Sequence, residues 1–316
     1  MPEPNRRESP TGTPLPIIVE PGVVTRTLWL IRRAFIAAYE DNCYGIAKGA
    51  AYSALLSLFP VLTTLAVVLV QLQAESVAHL ITRFLIQVVP PGTEDLIISR
   101  FREQGTKPIA LPISAIAISW WAGSGAMLSL MEGFQAAYRI PAGRPFLKQR
   151  GMAMFLVLAT ALPAVGASTL ILFGNRTEPW LLHSFGMITG DQALRTPILV
   201  LGHVARYLVG FATTIFVTGL LYYFGPNYRP ETGISGKRHR FFRVWEGALV
   251  ATVFWLIATA GFGLYVGRVA HYNVFYGSIG TVIALLVWMY LLSVIALIGC
   301  EYNAERDRMD SILSLY

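Results

Sequence analysis

The sequence predicts an all-α fold, a polytopic membrane bundle of six transmembrane helices with amphipathic helices at its interfaces. Hydrophobic residues make up 54% of the 316 residues and charged residues only 14%, about half the charged fraction usual in soluble domains. The mean hydropathy of +0.54 would leave a soluble fold with much exposed apolar surface. The run from Gly277 to Cys300 carries no charge over 24 residues. It makes about 36 Å of helix, enough to cross a hydrocarbon core of about 30 Å.

Six long uncharged runs predict the spans of one membrane domain over residues 23–305. They are approximately Ala50–Leu72, Ile109–Leu130, Met152–Phe173, Tyr207–Phe224, Ala248–Val266 and Gly277–Cys300. Residues 1–22 contain six prolines and no apolar core, which predicts a disordered tail and no cleavable signal peptide. Residues 306–316 are predicted to form a short cytoplasmic C-terminal tail.

The distribution of basic residues predicts the orientation of the bundle. Of the 25 Lys and Arg residues, 17 fall in segments on the side of the two termini and seven fall on the other side. Such a bias is typical of cytoplasmic termini. The net charge of +7 is therefore explained by topology, and no nucleic-acid partner is predicted.

The residues that hydrolytic chemistry needs are scattered along the chain. Metal-dependent RNA cleavage requires a cluster of His, Asp or Glu ligands, but the five histidines occur singly, at positions 79, 183, 203, 239 and 271. The two cysteines, Cys43 and Cys300, form neither a disulfide framework nor a zinc motif. We therefore predict no enzyme activity, no catalytic residue, no metal and no cofactor.

Amphipathic segments flank the first span. Val24, Leu28, Ile31 and Phe35 recur at helical spacing among arginines. They predict a helix that either lies in the interface with its basic face toward lipid headgroups or packs against the bundle. Residues 73–108 form the only long external segment, in which two short helices are predicted, either capping the bundle or acting as a lid over a cavity.

Prolines interrupt two of the predicted spans. Pro60 lies in the first span and Pro163 near the middle of the third. Each is expected to kink its helix and free a carbonyl one turn earlier, at Leu56 and Ala159. Broken helices at mid-depth often bind the substrates of transporters, although a kink without a binding role is the simpler alternative.

Ionisable side chains near the span ends are the candidates for substrate binding or ion coupling. They comprise Lys48, Glu132, Glu246 and Glu301, with Asn303 close behind. Charges that face a bundle interior are often functional, but at span ends they also form ion pairs and helix caps. Arg206 is the deepest candidate cation, and it either lies inside the fourth span or snorkels to the outer interface.

Small and aromatic residues organise the last two spans. Gly247, Ala251, Ala258 and Gly261 fall on one stripe of the fifth span, which predicts close helix packing. Tyrosines and an asparagine surround the external turn between the spans and are expected to be interfacial anchors and a helix cap. They are Tyr265, Tyr272, Asn273 and Tyr276.

Three stretches of the chain together resemble the YihY/BrkB family of bacterial inner-membrane proteins, formerly labelled ribonuclease BN. They run over residues 49–60, 222–265 and 272–303. The matching positions are Tyr52, Ser57, Pro60, Pro226, Gly247, Trp255, Tyr265, Tyr276, Gly277 and Gly280. Gly225 departs from the leucine usual before the proline. The resemblance implies a six-span protein of the inner membrane without a settled activity.

Two functions are compatible with these features. The first is a transporter or flippase for a lipid-like or small amphiphilic substrate, which would be secondary or passive because no P-loop occurs. The second is a non-catalytic scaffold that supports envelope assembly. Membrane lipids are the expected partners in both, and the sequence sets no oligomeric state. A polar cavity lined by Lys48, Glu132, Arg206 or Glu301 would favour transport, and a solid bundle would favour the scaffold.

Overall fold

The structure, a computed structural model, describes residues 23–71, 110–141, 143–184, 192–227, 237–268 and 277–313. In these ranges the chain forms seven helices joined by turns and contains no strand. The helices are α1 Val23–Glu40, α2 Cys43–Gln71, α3 Ala110–Ala137, α4 Phe146–Ser184, α5 Gln192–Phe224, α6 Lys237–Arg268 and α7 Gly277–Leu313. Helices α2 to α7 are long and apolar enough to cross a membrane, which confirms the six predicted spans and the all-α fold class.

Several predictions fall outside the described residues. They are the tail over residues 1–22, the two helices predicted within residues 73–108, and the positions of Tyr272, Asn273 and Tyr276. The last span is longer than predicted, because α7 continues as one helix through residues 306–313. Its extension is held to α1 by an ion pair between Arg26 and Asp310, 2.6 Å apart.

The six spanning helices form a closed ring. Each one packs against the next in the chain, and α7 packs back against α2. Helix α7 also contacts α3, and α1 lies outside the ring against α7 and α2. Apart from residues 72–109, which separate α2 from α3, the connections between successive spanning helices are short, and short connections favour antiparallel neighbours.

Both described termini lie at the same end of the ring, which we call the α1 end. Three contacts show this, each of which joins a residue near the end of one helix to a residue near the start of another. Arg139 after α3 pairs with Asp41 before α2, at 3.1 Å. The side chain of Arg144 donates to the carbonyl of Phe224 at the end of α5, at 2.9 Å. Asn303 of α7 reaches Val244 near the start of α6. The opposite end of the ring is called the far end.

The buried core lies at the α1 end. Fully buried hydrophobic side chains come from the first turns of α2, the first half of α4 and α6, the last turns of α3 and α5, and residues 295–304 of α7. The largest are Leu30, Met131, Phe134, Leu156, Tyr222, Val244 and Leu297. Towards the far end, the described apolar side chains are mostly exposed, as expected where helices meet lipid rather than each other.

Helix α1 packs against the bundle on one face and leaves an apolar face open. Leu30 and Ala34 are buried against the ring, whereas Leu28, Trp29 and Tyr39 are exposed. The expectation that the basic face turns to headgroups is incomplete, because two of its arginines, Arg26 and Arg33, pair with acidic residues of α7. The packing alternative therefore describes α1 better, with its open apolar face left for the membrane interface.

The predicted small-residue stripe on α6 is used in its first half. Gly247 and Ala251 lie directly against Gly299 of α7, so the two backbones approach closely at the α1 end. Further along the stripe, a Cβ placed on Gly261 would meet nothing within 4 Å. Close packing of α6 and α7 is therefore confined to the buried half of the bundle.

Candidate functional site

Large side chains fill the interior of the ring at the α1 end. Phe134 of α3 packs edge-on against Tyr222 of α5, with ring centroids 5.5 Å apart. The hydroxyl of Tyr222 donates a hydrogen bond to the carbonyl of Ala296 on α7, at 2.7 Å. Because α3, α5 and α7 are not successive in the ring, these contacts cross its interior. We call Phe134, Tyr222 and Leu297, all fully buried, the plug.

Beyond the plug the helices α4, α5 and α6 enclose a partly open cavity of about 800 Å³. Its volume lies in the range of sites for small organic ligands. The side chains that line it most extensively come from α5. They include Tyr207, Leu208, Phe211, Thr214 and Val217.

One helical row of α5 leads from the cavity to the plug. Tyr207, Phe211 and Thr214 are spaced by four and three residues, and the same row continues to Thr218 and Tyr222. Because Tyr207 in this lining is exposed, the cavity is a partly open space between α4, α5 and α6. Thr214 lies roughly 12 Å along the helix axis from Tyr222.

The cavity wall is apolar with a few hydroxyl groups. Its lining contains no charged side chain among the described residues. The hydroxyls of Thr214 and Thr252 donate to carbonyls of their own helices, at 2.9 and 2.8 Å, so these side chains present methyl groups and spare oxygen lone pairs. A wall of this kind suits an acyl chain or another apolar ligand, and it offers no ionic partner for a phosphate.

The two predicted kink prolines differ in their relation to this cavity. Pro163 lies inside α4 and directly precedes Ala164, Ala167 and Ser168, which line the cavity. Pro60 lies inside α2, a helix that contributes no residue to the described lining. Of the two prolines, Pro163 is therefore the one that lies next to residues of the described cavity lining.

The span-end candidates are dispersed over the α1 end. Lys48 and Glu132 are exposed on the outside of the bundle. Glu246 is half exposed and forms an ion pair with Arg306 at 2.5 Å. The structure does not bring these three residues together, and none of them lines the cavity.

Arg206 lies near the far half of α5 and is largely buried. Its Nε donates to the carbonyl of Gly202 one turn earlier, at 3.2 Å. It adjoins the cavity-lining Tyr207 in sequence but is not part of the lining. Arg206 lies two residues inside the edge of the candidate span Val204–Phe224, so its depth in the membrane, within the span or at the outer interface, stays a prediction.

Asn303 joins α7 to the start of α6. Its Oδ1 accepts a hydrogen bond from the Gly247 backbone N–H at 2.9 Å, and its Nδ2 donates to the carbonyl of Val244 at 3.1 Å. The amide therefore satisfies one donor and one acceptor of the α6 backbone inside the core. This arrangement explains why a glycine and an asparagine face each other here.

Glu301 is the most deeply buried of the ionisable candidates, with no exposed side-chain surface. The Cys43 thiol donates to its Oε1 at 3.3 Å. Around it, Arg33, Arg139 and Arg308 pair with neighbouring carboxylates of α1, α2 and α7. The α1 end thus holds an ion-pair network, and Glu301 lies beneath it.

The family-motif positions serve mostly as packing residues. Ser57 donates to the carbonyl of Ala54 at 2.8 Å, and Trp255 donates its indole N–H to the carbonyl of Leu292 on α7 at 3.1 Å. The remaining described positions are Tyr52 and Tyr265, both exposed, and Pro226, Gly247 and Gly280, all buried. Gly277 begins α7.

Sequence reasoning missed the plug and the cap of α5. Arg144 donates to three successive carbonyls, those of Phe224, Gly225 and Pro226. A basic residue within the short connection between α3 and α4 was the only available signal. Tyr222 belonged to a quoted motif, but its inward direction depends on tertiary packing that the motif does not encode.

The described residues contain no group of three or more His, Cys, Asp or Glu side chains that could hold a metal ion. A family model described as "Virulence factor BrkB" matches residues 34–312. The chain belongs to the BrkB family. The resemblance inferred from the motifs is thereby confirmed, and BrkB-family membership establishes this chain as a membrane protein with several transmembrane helices.

Curated relatives of this BrkB-family chain are bacterial. A UPF0761 membrane protein of Laribacter hongkongensis is 28% identical over 92% of this chain and 63% of its own. Another, of Vibrio vulnificus, is 25% identical over 86% of this chain and 80% of its own. YfkH of Bacillus subtilis, whose name describes it as ribonuclease-like, is 28% identical over 60% of this chain and 63% of its own. No solved structure matches the chain.

The chain spans about 63% of the length of two of these relatives, YfkH and the Laribacter protein. The Laribacter protein is named as a membrane protein, and the name of YfkH gives a likeness to ribonucleases.

Proposed function

We propose that this protein is a secondary or passive transporter of the flippase type, which moves a lipid-like or small amphiphilic molecule in envelope biology. It acts in the bacterial inner membrane with both termini in the cytoplasm, and it is not an enzyme. The observation that carries the proposal is the partly open cavity of about 800 Å³ between α4, α5 and α6, lined by apolar and hydroxyl-bearing residues.

The chemistry of the cavity supports an apolar or amphiphilic cargo. Its wall offers no charge to pair with an ionic group, whereas burying an acyl chain there is favourable by about 0.8 kcal/mol per methylene. A polar headgroup would be left at the open side of the cavity. The plug then closes the α1 end, which is the arrangement expected of one state of an alternating-access cycle.

Flux measurements in reconstituted vesicles test the proposal. The full-length protein would be placed in liposomes with a fluorescent phospholipid, and the rate at which label moves between leaflets would be measured by quenching the outer leaflet. We expect faster movement than in protein-free vesicles. Equal rates for phospholipids and for a panel of small amphiphiles, with and without protein, would refute transport.

A matched pair of variants ties flux to the cavity. Ala164→Trp fills the cavity from α4, and we expect it to lower the flux several-fold. Leu162→Trp places the same ring on a position of α4 that is exposed and absent from the lining, and we expect wild-type flux. Similar effects of both substitutions would disconnect the cavity from transport.

The alternative function is a non-catalytic scaffold for envelope assembly. The specific observation in its favour is that Lys48 and Glu132 point outward from a bundle that is solid at the α1 end. A scaffold predicts no flux, and it predicts that exchange of these outward charges weakens association with partner proteins.

We do not extend the ribonuclease-like description of YfkH to this chain. RNA hydrolysis by metal ions needs grouped ligands, and the described residues provide no such group. Cleavage of RNA by the purified protein, lost on chelation and in a point variant, would overturn this part of the proposal.

A further inference from the structure

Glu301 is a carboxyl group buried in the core without a cation. Its side chain has no exposed surface. Oε1 accepts the hydrogen bond of the Cys43 thiol, a weak donor, at 3.3 Å. Oε2 is buried and has no hydrogen-bond partner within the described part of the protein.

The surrounding carboxylates differ from Glu301 in this respect. Glu305, one turn further along α7 and only 7% exposed, pairs with Arg33 at 3.3 Å and also with Arg308. Asp41 pairs with Arg139 at 3.1 Å. Arginines are therefore at hand, yet among the described residues none pairs with Glu301 at this position.

A buried, ionised carboxylate with an unpartnered oxygen is strongly destabilising. A proton on Oε2 removes the charge and costs no additional packing space. Ionisable groups buried in this way within membrane proteins often form proton relays. A proton bound at Oε2 therefore accounts both for the burial of the Glu301 carboxyl group and for its lack of a cationic partner.

Ionisable groups face Glu301 from each element packed around it. Cys43 comes from α2, and Asp41 comes from the turn before it. Glu305 and Arg308 follow at one and two turns on the same face of α7, and Arg139 approaches from the end of α3. Asp41 is 13% exposed and lies 4.0 Å from Arg308, so this ion pair is the part of the network between Glu301 and the water at the α1 end.

We propose that Glu301 is a proton-binding site, loaded from water at the α1 end past the Asp41–Arg308 pair. On loading, a hydronium ion transfers its proton to Oε2, leaving water and a neutral carboxylic acid, and release is the reverse step. The proposal rests on the packing of Glu301 and not on transport. In a transporter, such a site would make the proton the coupling ion.

Labelling of the wild-type protein with dicyclohexylcarbodiimide tests the site directly. This apolar reagent requires a protonated carboxyl group, and the carboxylic acid adds across its C=N bond without a leaving group. In the full-length protein in lipid vesicles we expect a mass tag on Glu301 that diminishes as the buffer is made alkaline. Glu305, which is ion-paired on the same helix, should stay unlabelled. Absence of the tag on Glu301, or equal labelling at every pH, would overturn the proposal.

Infrared spectroscopy provides a second readout. The protonated carboxyl should give a C=O stretching band that disappears in alkaline buffer. We expect Glu301→Gln to remove the band and Glu132→Gln, an exposed position, to keep it. A band that survives in Glu301→Gln contradicts the assignment. Should Glu301→Gln not fold, the labelling of the wild type decides the question.

The two proposals can fail separately. A protein that moves lipid with no titrating carboxyl retains the cavity and loses the proton site. A protein in which Glu301 titrates while no cargo moves retains the proton site and loses transport.

Discussion

Asn303 shows how one polar side chain can organise a buried helix pair. It offers an amide oxygen to the N–H of Gly247 and an amide N–H to the carbonyl of Val244. Gly247 is the eleventh residue of α6, about three turns from its start, and the approach is possible because Gly247 has no Cβ in the way. The sequence suggested a coupling role for Asn303, which stays a prediction, and its structural role is now visible.

Loss of this amide should destabilise the protein. Asn303→Ala removes both hydrogen bonds and leaves an apolar gap beside the α6 backbone. We expect this change to lower the free energy of unfolding by about 2 kcal/mol. Asn303→Asp keeps the acceptor but places a buried charge against the Val244 carbonyl oxygen, so it should also destabilise the protein. Unfolding by sodium dodecyl sulfate from mixed micelles measures the difference. An alanine variant as stable as the wild type would show that the amide does not hold α6.

Arg144 should stabilise the end of α5 in a similar way. Arg144→Ala leaves three carbonyls without their charged donor, and we expect a loss of about 2 kcal/mol. Lys148→Ala, at an exposed position on the same side of the bundle, serves as the control and should change stability little. Thermal unfolding in detergent checks the pair, and equal midpoints would contradict the capping role.

At the scale of elements, the close contact between α6 and α7 depends on glycine where Gly247 faces Gly299. A Cβ on Gly247 would overlap the carbonyl oxygen of Gly299 and the side chain of Asn303. Gly261 lies about four turns further along α6, and a Cβ placed there would meet nothing within 4 Å. The first half of the small-residue stripe therefore permits close packing against α7, whereas the second half has open space beside it.

Alanine substitutions at the two glycines should have opposite effects. Gly247→Ala forces the helices apart, and we expect it to destabilise by about 1–3 kcal/mol, as overpacking does. Gly261→Ala should be neutral or stabilising by up to about 1 kcal/mol, because alanine favours the helix. The two variants can be compared in the same unfolding titration. A destabilising Gly261→Ala would mean that another surface packs on that half of α6.

The spans could be predicted from the sequence because each depends only on a local run of apolar residues. Their ends could not. Helix α7 runs to Leu313 through charged residues, and it does so because Asp310 and Glu305 find arginines on α1. Those partners are more than 270 positions away in the chain, so no local sequence pattern predicts these ion pairs.

The described spanning helices form a ring that is filled at the α1 end, and beyond the plug a partly open cavity lies between α4, α5 and α6. A cavity lined by the charged span ends was named as the feature that would favour transport, but the described lining is instead apolar and hydroxyl-bearing. The direction of a side chain around a helix follows from which neighbours that helix has. The closure of α7 on α2, which fixes those neighbours, is not encoded in any single span.

Opening the plug should make the ring leaky. In the double variant Phe134→Ala/Tyr222→Ala, two fully buried aromatic side chains are removed from the ring interior. We expect vesicles that carry it to release a small trapped dye faster than wild-type vesicles. The control is Tyr52→Ala/Phe146→Ala, at two exposed positions. A folded double variant that retains dye as the wild type does would show that the seal lies elsewhere.

Helix α1 gives the molecule unequal ends. Among the described helices, seven share the cross-section at the α1 end, because α1 packs beside α7 and α2, whereas six make up the far half of the ring. In a bilayer this described part of the protein displaces more lipid from one leaflet than from the other. A protein that is wider in one leaflet fits best where that leaflet forms the convex side of a curved membrane. Membrane curvature therefore becomes a factor in where the protein accumulates.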